Sequence, residues 1–130
     1  MNTSSQLLQH LKEHRLIALL SPRDTAACLR AYEILTPLGI ILEIALRTEH
    51  ALPGIRLIRE KHPEALVMAG TVMTAGQAQE AVKAGAAGIV SADYHPDVVS
   101  VCVGHGVLCA PGGLADAGKQ LVQKAGLLGC

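Results

Sequence analysis

A glutamate and an arginine stand four residues apart in an otherwise aliphatic run, residues 40–47. In an extended strand Ile40, Leu42, Ile44 and Leu46 share one face, and Ile41, Glu43, Ala45 and Arg47 share the other. The carboxylate and the guanidinium are then about 13 Å apart along the strand. A carboxylate held out of water has its pKa raised toward neutrality and can shuttle protons. A guanidinium fork suits a substrate carboxylate. Two plainer readings compete. Glu43 reaches water from an edge strand, or it serves a structural ion pair, with Arg47 solvated at the strand end. Charge in the middle of a parallel strand is costly unless it is paired. A second feature is Thr71 at the end of an apolar run, preceded by Gly70. Glycine there permits close backbone approach to a ligand. An ordinary strand-to-helix turn explains the pair equally well.

Other constellations carry less. Cys102, His105 and Cys109 have a C-x2-H-x3-C spacing. Three ligands split between a helix and a strand fit packing better than zinc, so no metal site is expected. His10, His14, His50, His62 and His95 fall in loops and helix ends and are read as solvated. Gly112-Gly113 before a helix can hold an anion on helix N–H groups, and a plain turn fits it as well.

The elements that position these residues repeat. Short apolar runs at 16–20, 40–46, 65–70, 88–91 and 107–110 begin 24, 25, 23 and 19 residues apart. Each is followed by turn residues and a stretch of helical period, which is the strand–helix repeat of a parallel sheet. Ser21 and Asp24 precede the first helix as capping residues. Ala27, Ala31, Ile34 and Leu35 form its inner stripe, and Pro37 and Gly39 end it. Thr48 is expected to begin the second helix, with a disturbance at Pro53-Gly54 and an end before Pro63. Thr74 and Gln77 make a capping box for the third, which stops at Gly85. Pro96 suits the first turn of the fourth. A fifth helix is expected over residues 114–124, with Leu127 and Leu128 opening a sixth strand.

Composition bounds the rest. The chain has 130 residues, zero formal net charge, 50% hydrophobic residues and 17% charged ones, which is a globular balance. One partial domain over residues 1–130 is expected. With 2% aromatic residues and no basic excess there is neither a phosphate footprint nor a stacking platform, so no nucleic-acid partner is expected. No apolar run approaches a membrane span, and no basic segment precedes an apolar one at the N-terminus, so neither an anchor nor a signal peptide is expected. The four cysteines have no framework spacing, and a reduced, cytoplasmic setting follows.

Five strand–helix units allow two architectures: part of a (β/α)8 TIM-type barrel, or a flavodoxin-like five-stranded parallel sheet. The period does not choose. A response-regulator-like module would need acids at the C-terminal edge of the sheet, whereas the first strand ends in Ser21 and the third in Thr71.

Residues 42–48 (LEIALRT), 69–72 (AGTV), 84–86 (AGA) and the strand with its Pro-Gly end at 107–112 fall in order. Together they resemble the family of 2-keto-3-deoxy-6-phosphogluconate and 4-hydroxy-2-oxoglutarate aldolases, from about Leu11 to Cys130. The resemblance implies a (β/α)8 barrel, here incomplete at about five units, and a homotrimer. It implies a class I lyase that cleaves a small keto acid to pyruvate and an aldehyde, without metal or cofactor. Glu43 matches the family's general acid/base. Arg47 and Thr71, with Gly70 beside them, match residues that hold the pyruvyl carboxylate. Two departures stand out. Ser91 is followed by Ala92 and Asp93 where the family commonly has Pro-Gly. The Schiff-base lysine that such chemistry requires aligns just after Cys130. Lys119 and Lys124 lie in the expected fifth helix, and Lys12, Lys61 and Lys83 read as surface charges. The sequence therefore leaves two functions open: an aldolase, or an inactive aldolase-derived interaction protein.

Overall fold

The computed structural model of the chain describes residues 3–112. The expected fifth helix, the sixth strand, Lys119 and Lys124 lie outside them. The order is α1 (Thr3–His14), β1 (Ile17–Leu20), α2 (Thr25–Leu35), a 3-10 turn (Thr36–Leu38), β2 (Ile41–Ala45), α3 (Ala51–Lys61), β3 (Val67–Gly70), α4 (Ala75–Ala84), β4 (Gly88–Ser91), α5 (Pro96–His105) and β5 (Leu108–Pro111). All strands are parallel and lie in chain order, β1-β2-β3-β4-β5. A flavodoxin-like sheet reverses its strand order at a switch point. The sequential order is that of a barrel wall and removes the flavodoxin-like alternative.

The two sheet faces are unlike. Leu42, Ile44, Val67, Ala69, Ile89 and Cys109 form one core with Cys28, Ile55, Ile58, Val98, Val99 and Cys102 of the helices. Burying each large aliphatic side chain of this set contributes about 1.5–3 kcal/mol. The opposite face carries a smaller cluster, in which Leu7 of α1 packs with Ile41, Met68 and Ala87. The remainder of that face is open: Leu19 is 59% exposed. A helix over residues 3–14 is not among the sequence expectations. Its inner face has only Leu7 and Leu11, and its other positions are mostly polar.

Local chemistry sets the boundaries. Asp24 caps α2, its carboxylate accepting from the Ala27 N–H at 2.7 Å. Helix α3 starts at Ala51 rather than Thr48, because Thr48 belongs to the cap: its carbonyl accepts from Ala51 and its hydroxyl oxygen from the His50 N–H at 3.3 Å. No break occurs at Pro53-Gly54. Pro53 lies in the first turn, where no N–H is needed. Gly54 lies against Cys28, where a Cβ would collide with the thiol sulfur. Thr74 caps α4 by accepting from the Gln77 N–H, and the Gln77 side chain returns to the Met73 N–H at 2.8 Å. Among the described residues no helix is long and apolar enough to cross a membrane.

Candidate active site

Glu43 is the central residue of β2, and β2 lies between β1 and β3. By register it sits between Leu19 and Met68, on the face opposite the helix-covered core. The carboxylate has no hydrogen bond or ion pair among the described residues. The strand is internal and no counter-charge is paired with Glu43, so among the described residues it serves no structural ion pair; the residue is half-buried. Burial pushes its pKa above the usual carboxylate range, the desolvation of the charged form being the cause. Gly70 of β3 makes room for it. A Cβ at Gly70 would fall on one carboxylate oxygen of Glu43 and lie 2.8 Å from Cδ.

Arg47 is not on the strand. The ladder continues through the Leu46 N–H to the Gly70 carbonyl at 2.9 Å, and the Arg47 N–H then turns back to the Ala45 carbonyl at 2.8 Å. Alternation stops at Ala45, so the placement of Arg47 on the Glu43 face by counting twos is corrected. The side chain reaches β3 instead. Its Nε donates to the Thr71 hydroxyl at 3.4 Å, a long contact between an exposed guanidinium and a half-buried threonine.

Thr71 has φ +56, a left-handed conformation costly for a β-branched residue. It is held on both sides. The Gly70 carbonyl is bonded toward β2, and the Val72 N–H donates to the Val90 carbonyl of β4 at 3.2 Å. Such strain persists only where the surroundings over-determine it. The four residues singled out from sequence thus converge through contacts at the C-terminal end of β2 and β3: Glu43 against Gly70, Thr71 next in chain, and Arg47 on Thr71.

The adjoining loop after β4 is tied internally. Ser91 is buried and its hydroxyl donates to the Asp93 carbonyl at 2.8 Å, while the Gly112 N–H donates to the Ser91 carbonyl at 2.8 Å. His95 stands at the N-cap position of α5 without a side-chain capping bond, and its Nε2 is buried without a partner among the described residues. The expectation that it is solvated is corrected. His10 also differs, its Nε2 lying 3.0 Å from the Gly39 carbonyl with the ring against His14. No signal in the spacing of either histidine marks these positions. Among the described residues no three His, Cys, Asp or Glu side chains gather as metal ligands.

The sequence and the fold have known relatives. The model of the family "KDPG and KHG aldolase" matches residues 7–127. A 2-dehydro-3-deoxy-phosphogluconate aldolase of Treponema pallidum is 45% identical over 71 residues, 55% of this chain and 34% of that protein. The one from Haemophilus influenzae is 32% identical over 101 residues, 77% of this chain and 48% of that protein. A crystal structure of the 4-hydroxy-2-oxoglutarate aldolase/2-deydro-3-deoxyphosphogluconate aldolase from TTHB1 superposes with a TM-score of 0.82 at 34% identity. It covers 99% of this chain and 60% of that one. The chain spans about a third to three-fifths of the length of these relatives. With a family match over nearly its whole length and a barrel-ordered parallel sheet to accompany it, this chain belongs to the KDPG and KHG aldolase family.

Proposed function

We propose that this chain carries the acid/base and carboxylate-holding part of a class I, pyruvate-forming aldolase site. The observation that supports it most is the unpaired, desolvated Glu43 carboxyl held against Gly70, one residue from the Arg47–Thr71 contact. In this reading Arg47 and Thr71 hold the carboxylate of a 2-oxo acid. A lysine amine adds to the keto carbon, and the carbonyl oxygen leaves as water to give the iminium. Glu43 takes the proton from the hydroxyl of the substrate as the carbon–carbon bond breaks, its electron pair moving into the iminium to give an enamine. The aldehyde leaves, and Glu43 returns a proton to the enamine carbon, which hydrolysis releases as pyruvate. A pKa raised by burial suits a group that both accepts and donates near neutral pH. The reaction class is a lyase acting on a 2-keto-3-deoxy (phospho)sugar acid or 4-hydroxy-2-oxoglutarate. A homotrimer and a cytoplasmic setting belong to the same proposal.

The amine comes from outside the described residues. Lys12, Lys61 and Lys83 lie in helices α1, α3 and α4, and none stands at the C-terminal end of a strand. Two arms test the reading on the 130-residue polypeptide. Pyruvate should shift the amide resonances of Gly70, Thr71 and Val72, and Arg47→Ala should weaken binding about tenfold or more, the loss of a charge-assisted hydrogen bond. Borohydride with pyruvate should leave Lys12, Lys61 and Lys83 unmodified. An adduct on any of the three overturns the assignment of the amine. Absence of pyruvate binding overturns the carboxylate site and favours an interaction protein derived from an aldolase.

A further inference from the structure

Beyond Leu46 the chain leaves the sheet, and the turn that carries Arg47 needs fastenings of its own. The Arg47 N–H closes one side of it on the Ala45 carbonyl at 2.8 Å, and the Ala51 N–H closes the other on the Thr48 carbonyl at 3.3 Å. Both bonds are local. The Arg47 guanidinium is exposed, and its 3.4 Å contact with Thr71 is too weak to hold a backbone in place. Thr48 supplies the link to the rest of the molecule. Its hydroxyl donates to the Pro22 carbonyl in the β1–α2 loop at 2.8 Å, and the same oxygen accepts from the His50 N–H at 3.3 Å. The anchor is firm. Pro22 is fully buried, and Asp24, two residues on, caps α2. Helix α2 is pressed on α3, where Gly54 leaves no room for a Cβ beside the Cys28 sulfur. Arg47 is thus next in chain to a fixed point.

We propose that Thr48 is a positioning residue for carboxylate binding. By fastening the Arg47 turn to Pro22, it sets the direction from which the guanidinium reaches Thr71 and the substrate carboxylate. The inference rests on the functional reading above and adds to it a residue that touches no substrate. An arginine side chain has many rotamers, and a fork aimed in advance by its backbone gives up less of that freedom on binding. The requirement falls on the hydroxyl, which donates to Pro22 and accepts from His50 at once. Serine keeps both bonds, whereas valine keeps the shape and makes neither.

The test reads the pyruvate affinity of the 130-residue chain from the Gly70, Thr71 and Val72 amide resonances. Wild type, Thr48→Val, Arg47→Ala and the double variant form a cycle, and urea unfolding establishes that each is folded where it is titrated. Thr48→Val should weaken binding about threefold to tenfold, the worth of one hydrogen bond. Thr48→Ser should bind within about twofold of the wild type. In the Arg47→Ala background Thr48→Val should change affinity by less than about twofold, because a guanidinium that is absent cannot be misaimed. If Thr48→Val does not fold, Thr48→Ala removes the same bonds without an added methyl and completes the same cycle. Unchanged affinity in Thr48→Val overturns the proposal, and so does a Thr48→Ser variant as weak as Thr48→Val. Equal weakening with and without Arg47 also overturns it, being the mark of a helix cap that acts on the fold as a whole. Failure of the functional reading looks different, since Arg47→Ala then leaves pyruvate binding unaltered.

Discussion

Gly70→Ala places one methyl group where the structure puts the Glu43 carboxylate. The new Cβ would fall on a carboxylate oxygen, 2.8 Å from Cδ and 3.0 Å from Cγ. Overpacking of this kind costs about 1–3 kcal/mol. Gly70 does not have a positive φ, so alanine adds no backbone strain. It restricts the unfolded chain and so contributes about 0.4–1 kcal/mol of stability. The net expectation is a loss of about 1–2 kcal/mol, taking the difference of those two effects. In a Glu43→Ala background the colliding atoms are gone, and Gly70→Ala should be neutral or stabilising by up to about 1 kcal/mol. The coupling between the two sites is then about 2 kcal/mol, well above the error of a double-mutant cycle. Equilibrium urea unfolding of the four proteins reads it directly, and a loss of 1–2 kcal/mol moves the midpoint by roughly 0.5–1 M. Glu43→Gln is the control, because glutamine keeps the shape and should keep the penalty. Equal effects of Gly70→Ala in all backgrounds would show that Glu43 does not lie against Gly70, and the assignment of a half-buried proton carrier would fail with it.

Three further outcomes follow from the same geometry. Since the native pKa of Glu43 is raised, the folded state binds its proton more tightly than the unfolded one, and stability falls as pH rises through the window between the two values. Glu43→Gln should remove that slope and be the more stable protein at neutral pH; parallel pH–stability curves for the two proteins contradict the desolvation argument. Thr71→Gly relieves a β-branched residue at φ +56 and should stabilise by about 0.5–1 kcal/mol after the entropy cost of glycine, while weakening pyruvate binding. A loss of stability in thermal unfolding counts against stored strain there. Asp24→Ala removes the cap of α2 and should cost about 1 kcal/mol, with no change at Glu43; a variant as stable as the wild type refutes the capping role.

Much of the scaffold is legible because each element carries its own punctuation. Asp24, Thr74, Gly85 and Pro96 stand where caps and stops are found. The apolar runs fall on the strands to within a residue or two. What escapes is tertiary. Helix α1 has a weak inner stripe, since only Leu7 and Leu11 pack against the sheet and the helix is held by what lies beneath it. The order of the strands is a property of the whole sheet, and no local period encodes it. Glu43, Gly70 and Thr71 are recognisable from residue type and position, but the reach of Arg47 is not. Counting alternate residues assumes an unbroken strand, and the hydrogen bond from Arg47 to Ala45 ends it two residues early. His95 is the clearest miss: burial of one ring nitrogen depends on how a loop folds over, which spacing does not express.

The chain-order pairing of the strands also bears on how the molecule reaches this state. Ile17 meets Ile41, Leu42 meets Val67, Met68 meets Gly88, and Gly88 meets Leu108. Each pairing closes a loop of about 20–25 residues, and loops of similar length carry similar closure entropy. The sheet can therefore grow by successive short-range steps, without one distant pairing that must come first. The Glu43–Gly70 and Arg47–Thr71 contacts both depend on a single step, the docking of β3 on β2, while the Thr71 turn is also held from β4. A chain in which this step has occurred can make both contacts, while one stalled before it can make neither.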